Sequence, residues 1–409
     1  MQILASTLVS ALGNGKEQHL NALKKQRTGL SDNTMFHQNI PDIDTFIGEV
    51  NGVENIQLPK NAEVYMCRNN QLAWQTLLAD DFEGKVKTAV KTFGADRIGL
   101  VVGTSTSGIA ETEAAFGGQT DTSEFKYEST HQMDSLARFC CQALGIDGPN
   151  FVISTACSSS AKVLAVAQRW LDADLVDAVV VGGVDSLCLT TLHGFKSLGL
   201  VSSTICKPLD EQRDGINIGE AGGFILLSKE KGVDLLSSTG IEIAGVGESS
   251  DAFHISTPHP KGRGASQAMK NALRQAGIAF SEIGYINLHG TSTPSNDLSE
   301  LSGVSDHLVD DSPLWVSSTK GFTGHTLGAA GVTEVILCQW ALENQMVYAN
   351  LNLQTVDSEI EETLENYNVN IPNKTVQVLE EFKMPLNYVM SNSFGFGGNN
   401  ASVILKRGL

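Results

Sequence analysis

The sequence predicts an α/β protein of two similar halves, in which helices cover both faces of largely parallel sheets. One observation is the regular alternation of short apolar runs, such as residues 98–102, with segments of helical period. A second is an internal echo. Residues 152–157 and 316–320 each lead an apolar run into a turn of small residues, and an apolar helix follows. Strand, helix and strand in close order favour right-handed crossovers in a parallel sheet.

The N-terminal half is expected to span residues 1–240. A connection without clear periodicity should occupy residues 29–62, and a polar, glycine-rich loop residues 202–223. The other expected elements follow in chain order: a strand at 1–9, a helix with Leu20 and Leu23, a helix from Asn69, a strand at 98–102, a helix at 131–144, a strand at 151–153, a helix from 161, and strands at 178–181 and 223–227.

The C-terminal half is expected to span residues 241–409 and to repeat the alternation. Its elements are a helix at 265–276, strands at 283–288 and 314–317, a helix at 327–343, and closing strands at 388–390 and 401–405.

Composition and charge exclude several classes of protein. The formal charge of −18 opposes general binding to nucleic acid or to an anionic membrane surface. No apolar run approaches the roughly 20 residues of a membrane helix, so we expect no membrane span. The seven cysteines are irregularly spaced, with neither a CxxC pair nor a signal peptide, which favours a reduced, cytoplasmic setting without structural disulfides.

Cys157 occupies the most informative stretch of the chain. The apolar run 151–153 ends in small polar residues, and a helical pattern begins at residue 161. Cys157 should therefore lie on a tight turn at a helix N-terminus, where amide groups and the helix dipole can lower a thiol pKa. A small buried residue at a helix start is the alternative for an isolated cysteine.

Two histidines, His289 and His325, lie in similar Gly/Thr-rich loops, each following a predicted strand. Ligand crevices form at the carboxyl ends of parallel strands, so both can converge on Cys157 as proton-handling or polarising partners of a nucleophile. Metal binding is disfavoured because no HExxH, CxxC or paired carboxylate motif accompanies them. Residues 395–398 lack a full GxGxxG, and residues 103–108 miss the GxSxG elbow of serine hydrolases.

Five motifs, in order and across nearly the whole chain, resemble the condensing enzymes called β-ketoacyl-acyl carrier protein synthases. They are STACSSS at 154–160, RDG at 213–215, HGTSTP at 289–294, KGFTGH at 320–325 with GAAG at 328–331, and NSFGFGG at 392–398.

The resemblance implies a thiolase-like fold layered α-β-α-β-α, a dimer, and a Cys-His-His site of Cys157, His289 and His325. Cys157 would accept an acyl chain from a carrier-protein thioester, and the backbone amides of Cys157 and Phe396 would hold the oxyanion. The histidines would then stabilise the enolate formed as malonyl-carrier protein loses carbon dioxide, and so serve decarboxylation more than acyl transfer. No cofactor is implied, since 4'-phosphopantetheine enters on the carrier protein.

Further roles follow from matching positions. The matches are Lys320 and Glu334 as supports of the histidines, Asp297 and Glu300 as acidic residues after the first histidine loop, Thr291 and Thr293 as pantetheine contacts, Phe396 as a gate, Thr106 as the end of the acyl pocket, and Asn287, Glu334, Ser391 and Asn392 as a monovalent cation site.

Details of the chain refine this resemblance. The short N-terminus and residues 68–72 and 103–108 are most similar to ketosynthases of bacterial aryl-polyene pathways, with general fatty-acid elongation as the close alternative. The partner would be a second copy or a related subunit resembling a chain-length factor. Asn399 replaces the commoner Thr of the family.

The basic residues with which relatives hold an acidic carrier protein are not evident near residues 64–68, which leaves Arg68, Lys60 and Lys126 as contributors. Two other functions stay open. A non-catalytic partner subunit would not need Cys157, and a thiolase acting on coenzyme A esters would usually carry a second cysteine near residues 394–400.

Overall fold

The computed structural model describes residues 1–33, 43–118, 122–229, 238–309, 312–378 and 385–408. The strands within these ranges are β1 (Gln2–Ser10), β2 (Gly13–Asn14), β3 (Ser31–Asp32), β4 (Phe46–Gly48), β5 (Ile98–Gly103), β6 (Asn150–Ile153), β7 (Ala178–Asp185), β8 (Ile218–Gly219), β9 (Ala221–Ser228), β10 (Ile241–Ser250), β11 (Ile283–Asn287), β12 (Leu314–Ser317), β13 (Met346–Val347), β14 (Val369–Asn370), β15 (Val376–Gln377), β16 (Tyr388–Gly395) and β17 (Asn399–Arg407).

The α-helices in the same ranges are α1 (Lys16–Lys24), α2 (Arg68–Leu78), α3 (Phe82–Phe93), α4 (Ile109–Phe116), α5 (Ser135–Leu144), α6 (Ser159–Asp172), α7 (Leu189–Ser197), α8 (Arg263–Ala276), α9 (Pro294–Ser305), α10 (Lys320–Thr323), α11 (Ala330–Asn344) and α12 (Ser358–Leu364). None of them is long and apolar enough to cross a bilayer.

The main sheet runs through both halves of the chain in the order β14-β12-β11-β16-β17-β10-β1-β9-β7-β5-β6, with β2 paired to β1. The halves meet where β1 and β10 pair through Gln2 and Glu242. In the first half β5 pairs in parallel with β6 and β7, and in the second β11 pairs in parallel with β12 and β16. Antiparallel β9 and β17 follow these parallel sets, so the expected echo is present in the sheet topology.

Helices α6 and α11 lie between the two parts of the sheet and pack against each other. They approach so closely that a Cβ on Gly331 would lie 2.4 Å from the backbone nitrogen of Ala161. Every residue of α11 from Ala330 to Leu342 is buried, as expected of a helix in a middle layer. Separate apolar clusters join α2, α3 and α5 to the first half and α8, α9 and α12 to the second. The layered α-β-α-β-α fold is therefore confirmed.

Most expected elements are present with small shifts at their ends. The helix expected at 131–144 begins at Ser135, and the strand expected at 223–227 begins at Ala221. The irregular connection expected at 29–62 contains the short strands β3 and β4, although residues 34–42 lie outside the described residues. β6 forms the edge of the main sheet, with Phe151 55% exposed.

Candidate active site

Cys157 lies in a tight turn between β6 and α6, as expected. Ala156 has φ of 52°, a left-handed conformation that a residue with a Cβ rarely adopts, and Ser158 is the N-cap of α6. The Ser159 hydroxyl accepts a bond from the Thr155 N–H at 2.8 Å and donates to the Ala156 carbonyl at 2.6 Å. These bonds hold the strained turn, which presents the sulphur at the carboxyl end of the parallel strands.

The structure brings Cys157, His289 and His325 together. His325 Nε2 lies 3.0 Å from Cys157 Sγ, and the two imidazole rings meet edge to face with centroids 5.3 Å apart. One ligand atom from each of the three residues lies within 4.8 Å of the other two, and all three residues are buried. This spacing suits a nucleophile with two partners, but by itself it also suits a soft metal ion.

The expected lowering of the Cys157 pKa is wrong for this geometry. Burial raises the pKa of the thiol to about 12, although the Lys320 charge and a hydrogen bond from the Phe396 N–H act in the opposite direction. Burial likewise lowers the pKa of His325 well below its usual range, with the Lys320 charge as a second cause. The resting pair is therefore a neutral thiol beside a neutral imidazole, with Nε2 placed to accept the thiol proton.

Lys320 favours one tautomer at His289. Its Nζ lies 3.4 Å from His289 Nδ1, and it also donates to the His289 carbonyl and to Glu334. An ammonium group can only donate, so Nδ1 of His289 accepts and its proton resides on Nε2. Burial, the Lys320 charge and His325 together lower the pKa of His289 well below its usual range. His289 is thus a neutral donor, whereas His325 can accept a proton.

The loop that carries His289 is held by two buried carboxylates on α9, Asp297 in its first turn and Glu300 one turn further on. Glu300 accepts the backbone N–H groups of His289 and Gly290, each at 2.9 Å. Asp297 accepts the N–H groups of Ser292 at 3.2 Å and Leu209 at 3.0 Å. Burial raises the pKa of Glu300 to about 7 and also raises that of Asp297.

A pocket leads from the surface to Cys157. Its lining residues are Cys157, Phe195, Leu200, Ile216, Asp251, His254, Ser256, Thr257, Pro258, His289, Thr291, Thr293, Ser295, Asn296, His325, residues 394–398 and Asn400. Thr291 and Thr293 share a hydrogen bond at 2.9 Å between their hydroxyls, and Thr293 caps α9. The Phe396 ring lies 5.4 Å from that of Phe195 on α7, which the sequence did not single out because its neighbours give no chemical motif.

The proposed oxyanion amides lie beside each other. The Phe396 N–H is directed at the Cys157 sulphur, and a Cβ on Gly395 would lie 3.2 Å from the Cys157 nitrogen. Glycine lets the 395–398 backbone approach the nucleophile this closely.

Thr106 is buried away from the lining of this pocket. Its hydroxyl donates to Asp185 Oδ1 at 2.9 Å, and its backbone N–H donates to the same oxygen at 3.0 Å. Asp185 also accepts from Thr104, Ser105 and the Gly328 N–H just beyond His325. The Asp185 carboxylate therefore links the 103–108 loop to the loop of His325. No motif in the sequence predicts this role for Asp185.

The four residues of the proposed cation site are buried, and two of them retain unused oxygens. Glu334 Oε2 and Ser391 Oγ make no hydrogen bond within the described part of the chain. The side chain of Asn392 is already hydrogen-bonded, since its amide nitrogen donates to Glu300 at 3.0 Å and its oxygen accepts from the Ser402 hydroxyl. Asn287 exchanges long hydrogen bonds with the Thr319 hydroxyl. Glu334 and Ser391 therefore fit a small cation better than the two asparagines.

The suggested contribution of Arg68 to carrier docking is wrong. Its side chain is mostly buried, forms an ion pair with the completely buried Glu220, and lies 3.8 Å from Glu49. A buried charge is costly unless it is paired, so the Arg68 guanidinium serves as the partner of the buried Glu220 carboxylate and is not available to a docking protein. Lys60 and Lys126 are exposed, and Lys126 lines a groove with Val64 and Arg138 that shares no residue with the Cys157 pocket.

Comparisons with known proteins agree with this geometry. The β-ketoacyl synthase N-terminal domain matches residues 67–232, and the C-terminal domain matches residues 241–354. The chain is 30% identical to 3-oxoacyl-[acyl-carrier-protein] synthase 2 of Vibrio cholerae over 98% of this chain and 97% of that protein. It is 31% identical to the synthase of the same name from Staphylococcus aureus over 76% of each.

Among solved structures, the ketosynthase ApeO in complex with its chain length factor ApeC from Xenorhabdus doucetiae superposes with a TM-score of 0.86 and 34% identity, covering 99% of this chain and 97% of that one. The ishigamide ketosynthase/chain length factor matches with a TM-score of 0.86 at 24% identity, which supports the fold. The fold and the Cys-His-His site define a condensing enzyme. The chain belongs to the β-ketoacyl synthase family.

Proposed function

We propose that this protein elongates acyl chains on a carrier protein by decarboxylative condensation. The observation that carries the proposal is the convergence of Cys157, His289 and His325 at the end of one pocket. Cys157 attacks the acyl-carrier thioester, His325 Nε2 accepts the thiol proton, and the departing carrier thiolate takes that proton up. The Cys157 and Phe396 amides stabilise the oxyanion formed in this step.

The second half-reaction uses the same pocket with malonyl-carrier protein. Its thioester oxygen accepts a hydrogen bond from His289 Nε2–H as the carbon–carbon bond to the carboxylate breaks and carbon dioxide leaves. His325 Nε2 has no proton after the first step, so we assign His325 to acyl transfer and not to the second donor role that the resemblance implied. The resulting enolate carbon attacks the acyl-Cys157 carbonyl and expels Cys157 as a thiolate, which yields a 3-oxoacyl chain two carbons longer. A proton from solvent, passed through His325, then restores the Cys157 thiol. Lys320 favours the His289 tautomer needed for this donation, and Thr291 and Thr293, which line the pocket, would contact the pantetheine arm.

Partners and supporting groups complete the proposal. The carrier protein delivers 4'-phosphopantetheine, and no separate cofactor is required. A dimer, formed with a second copy or with a subunit resembling a chain-length factor, suits the exposed edge strand β6 with Phe151. We place the protein in the cytoplasm and assign Glu334, Ser391, Asn287 and Asn392 to a structural monovalent cation. Thr106 remains the proposed limit of the acyl chain.

The similarity to the ketosynthase ApeO, named with its chain length factor, supports pairing with a subunit of that kind. We keep an aryl-polyene or related polyketide pathway as the proposal over general fatty-acid elongation. The halves 1–240 and 241–409 remain the proposed domain division.

The test is to incubate the purified protein with acyl-carrier and malonyl-carrier proteins and to analyse the carrier products by mass spectrometry. A 3-oxoacyl-carrier product supports the proposal. Condensation of coenzyme A esters alone, without any carrier protein, would favour the thiolase alternative. Product that forms only when a second ketosynthase is added, and that is unaffected by Cys157→Ala, would favour a non-catalytic partner.

A further inference from the structure

Three large apolar side chains are exposed around the mouth of the Cys157 pocket. Leu198 is 54% exposed, Phe253 52% and Ile255 78%. Leu198 follows α7 between the lining residues Phe195 and Leu200. Phe253 and Ile255 flank His254, which also lines the pocket. These three side chains, named here the mouth patch, stand beside the pocket rather than inside it.

The loop that carries Phe253 and Ile255 is ordered by its own hydrogen bonds. His254 Nδ1 accepts the N–H groups of Ser256 and Thr257, each at 3.2 Å. The Ile255 carbonyl accepts the Gly397 N–H at 2.7 Å, which ties this loop to the turn of Phe396. Ile255 thus holds its backbone against the catalytic turn while its side chain points to solvent. Exposed apolar groups on an ordered rim beside a pocket are available for contact with another macromolecule.

The charges around the mouth indicate which macromolecule binds. Lys196 on α7 and Lys261 beyond the Phe253 loop are exposed. The nearby acid, Asp251, is turned inward, where it accepts bonds from Asn400 at 2.7 Å and from the His259 N–H at 3.2 Å. A protein of charge −18 repels an acidic partner at long range, so such a partner needs a local site of the opposite sign.

We propose that the acyl carrier protein docks on the mouth patch through apolar contacts, with Lys196 and Lys261 as flanking charges. The proposal rests on the proposed function, since the docked protein must deliver an acyl-pantetheine arm into the pocket beneath the patch. It replaces the contribution expected from Arg68, whose charge is used inside the fold. The groove with Val64 and Lys126 is the competing site.

The test compares two acyl donors that need the same chemistry but differ in docking. Single-turnover acylation of Cys157 is measured with an acyl-carrier protein and with the corresponding acyl-pantetheine, which has no protein to dock. For the Leu198→Ser, Phe253→Ser and Ile255→Ser triple variant, we expect the second-order rate constant with the carrier to fall by roughly tenfold or more, as for interface anchors. The rate with acyl-pantetheine should stay within about twofold of wild type, because the chemistry is unaltered.

Two further variants sharpen the comparison. Lys196→Glu with Lys261→Glu should slow the carrier reaction and weaken its dependence on salt. Val64→Ser removes an apolar side chain that is 47% exposed from the competing groove and should leave both rates unchanged. Equal losses with both donors in the triple variant, or loss of the carrier reaction in Val64→Ser alone, would overturn the docking site. A wild-type protein acylated by neither donor would overturn the proposed function itself.

Discussion

His325 Nε2 lies 3.0 Å from Cys157 Sγ, within contact of the atom that must lose its proton. Burial keeps both groups neutral, since it raises the pKa of Cys157 to about 12 and lowers that of His325 well below its usual range. The site therefore differs from a preformed thiolate at a helix N-terminus. We therefore expect the sulphur to lose its proton to His325 as it attacks the thioester.

Alkylation of Cys157 should report this neutral thiol. Because the thiolate fraction rises about tenfold per pH unit below the pKa, the iodoacetamide rate should climb without a plateau from pH 7 to pH 10. Peptide mapping should find Cys157 labelled first. Cys206 also has its pKa raised to about 12 by burial, but it does not line the pocket. A plateau below pH 9, or faster labelling of Cys67 or Cys206, would contradict this assignment.

The two histidines should separate by reaction step, which differs from the expectation, drawn from the resemblance, that both serve decarboxylation more than acyl transfer. His325→Ala removes the proton acceptor, so acylation of Cys157 should slow by about 10²–10⁴-fold, the usual contribution of general acid–base catalysis. His289→Ala should load an acyl group at nearly the wild-type rate. It should lose about 10²–10³-fold in carbon dioxide release from malonyl-carrier protein, because an enolate donor is missing. Rapid-quench acylation and carbon dioxide release measure the two steps, and identical profiles for the two variants would refute the division.

Protonation of Glu334 should make the decarboxylation rate fall on the acidic side of its pH profile. Burial raises the pKa of this carboxyl to about 7, so Glu334 gains its charge, and its full pairing with Lys320, as pH rises through about 7. The rate should fall by about tenfold per pH unit below that value. Glu334→Gln should flatten this fall and lower the maximal rate.

Glu300→Gln is the matched control for this pH profile, because the pKa of Glu300 is also about 7 while that side chain bonds backbone groups. A fall that persists in Glu334→Gln and vanishes in Glu300→Gln would assign the pH dependence to the His289 loop instead.

Thr106 offers a separate test of chain-length control. Thr106→Phe should exclude long acyl groups from Cys157 while short ones still load. Thr106→Val keeps the volume but loses the bond to Asp185, so it should cost about 1–3 kcal/mol of unfolding free energy and leave the length profile unchanged. Acylation with a series of acyl-carrier proteins and thermal unfolding measure both effects. Equal loss at all lengths in Thr106→Phe would mean that the ring only damages packing around this buried residue.

The sequence predicted the features that depend on local pattern. The apolar run before Cys157 and the helical period after it correspond to β6 and α6, and the run at 314–317 is β12. The convergence of His289 and His325 on Cys157 followed from strand ends in a parallel sheet, together with the family resemblance.

Other features depend on residues far apart in the chain and could not be predicted from sequence. Arg68 forms its ion pair with Glu220, which is 152 residues away in the chain. Asp185 accepts hydrogen bonds from the 103–108 loop and from the Gly328 N–H. The Cys157 pKa depends on how deeply the tertiary fold buries the sulphur, and the helix-start pattern contains no information on that depth.

The most direct test of the account is the intact mass of the protein during a two-step reaction. After incubation with acyl-carrier protein alone, the mass should increase by one acyl group, and peptide analysis should place it on Cys157. On addition of malonyl-carrier protein, that mass should disappear as the 3-oxoacyl-carrier product forms, and Cys157→Ala should do neither. Stable acylation at another residue, or full product formation by Cys157→Ala, would contradict the account.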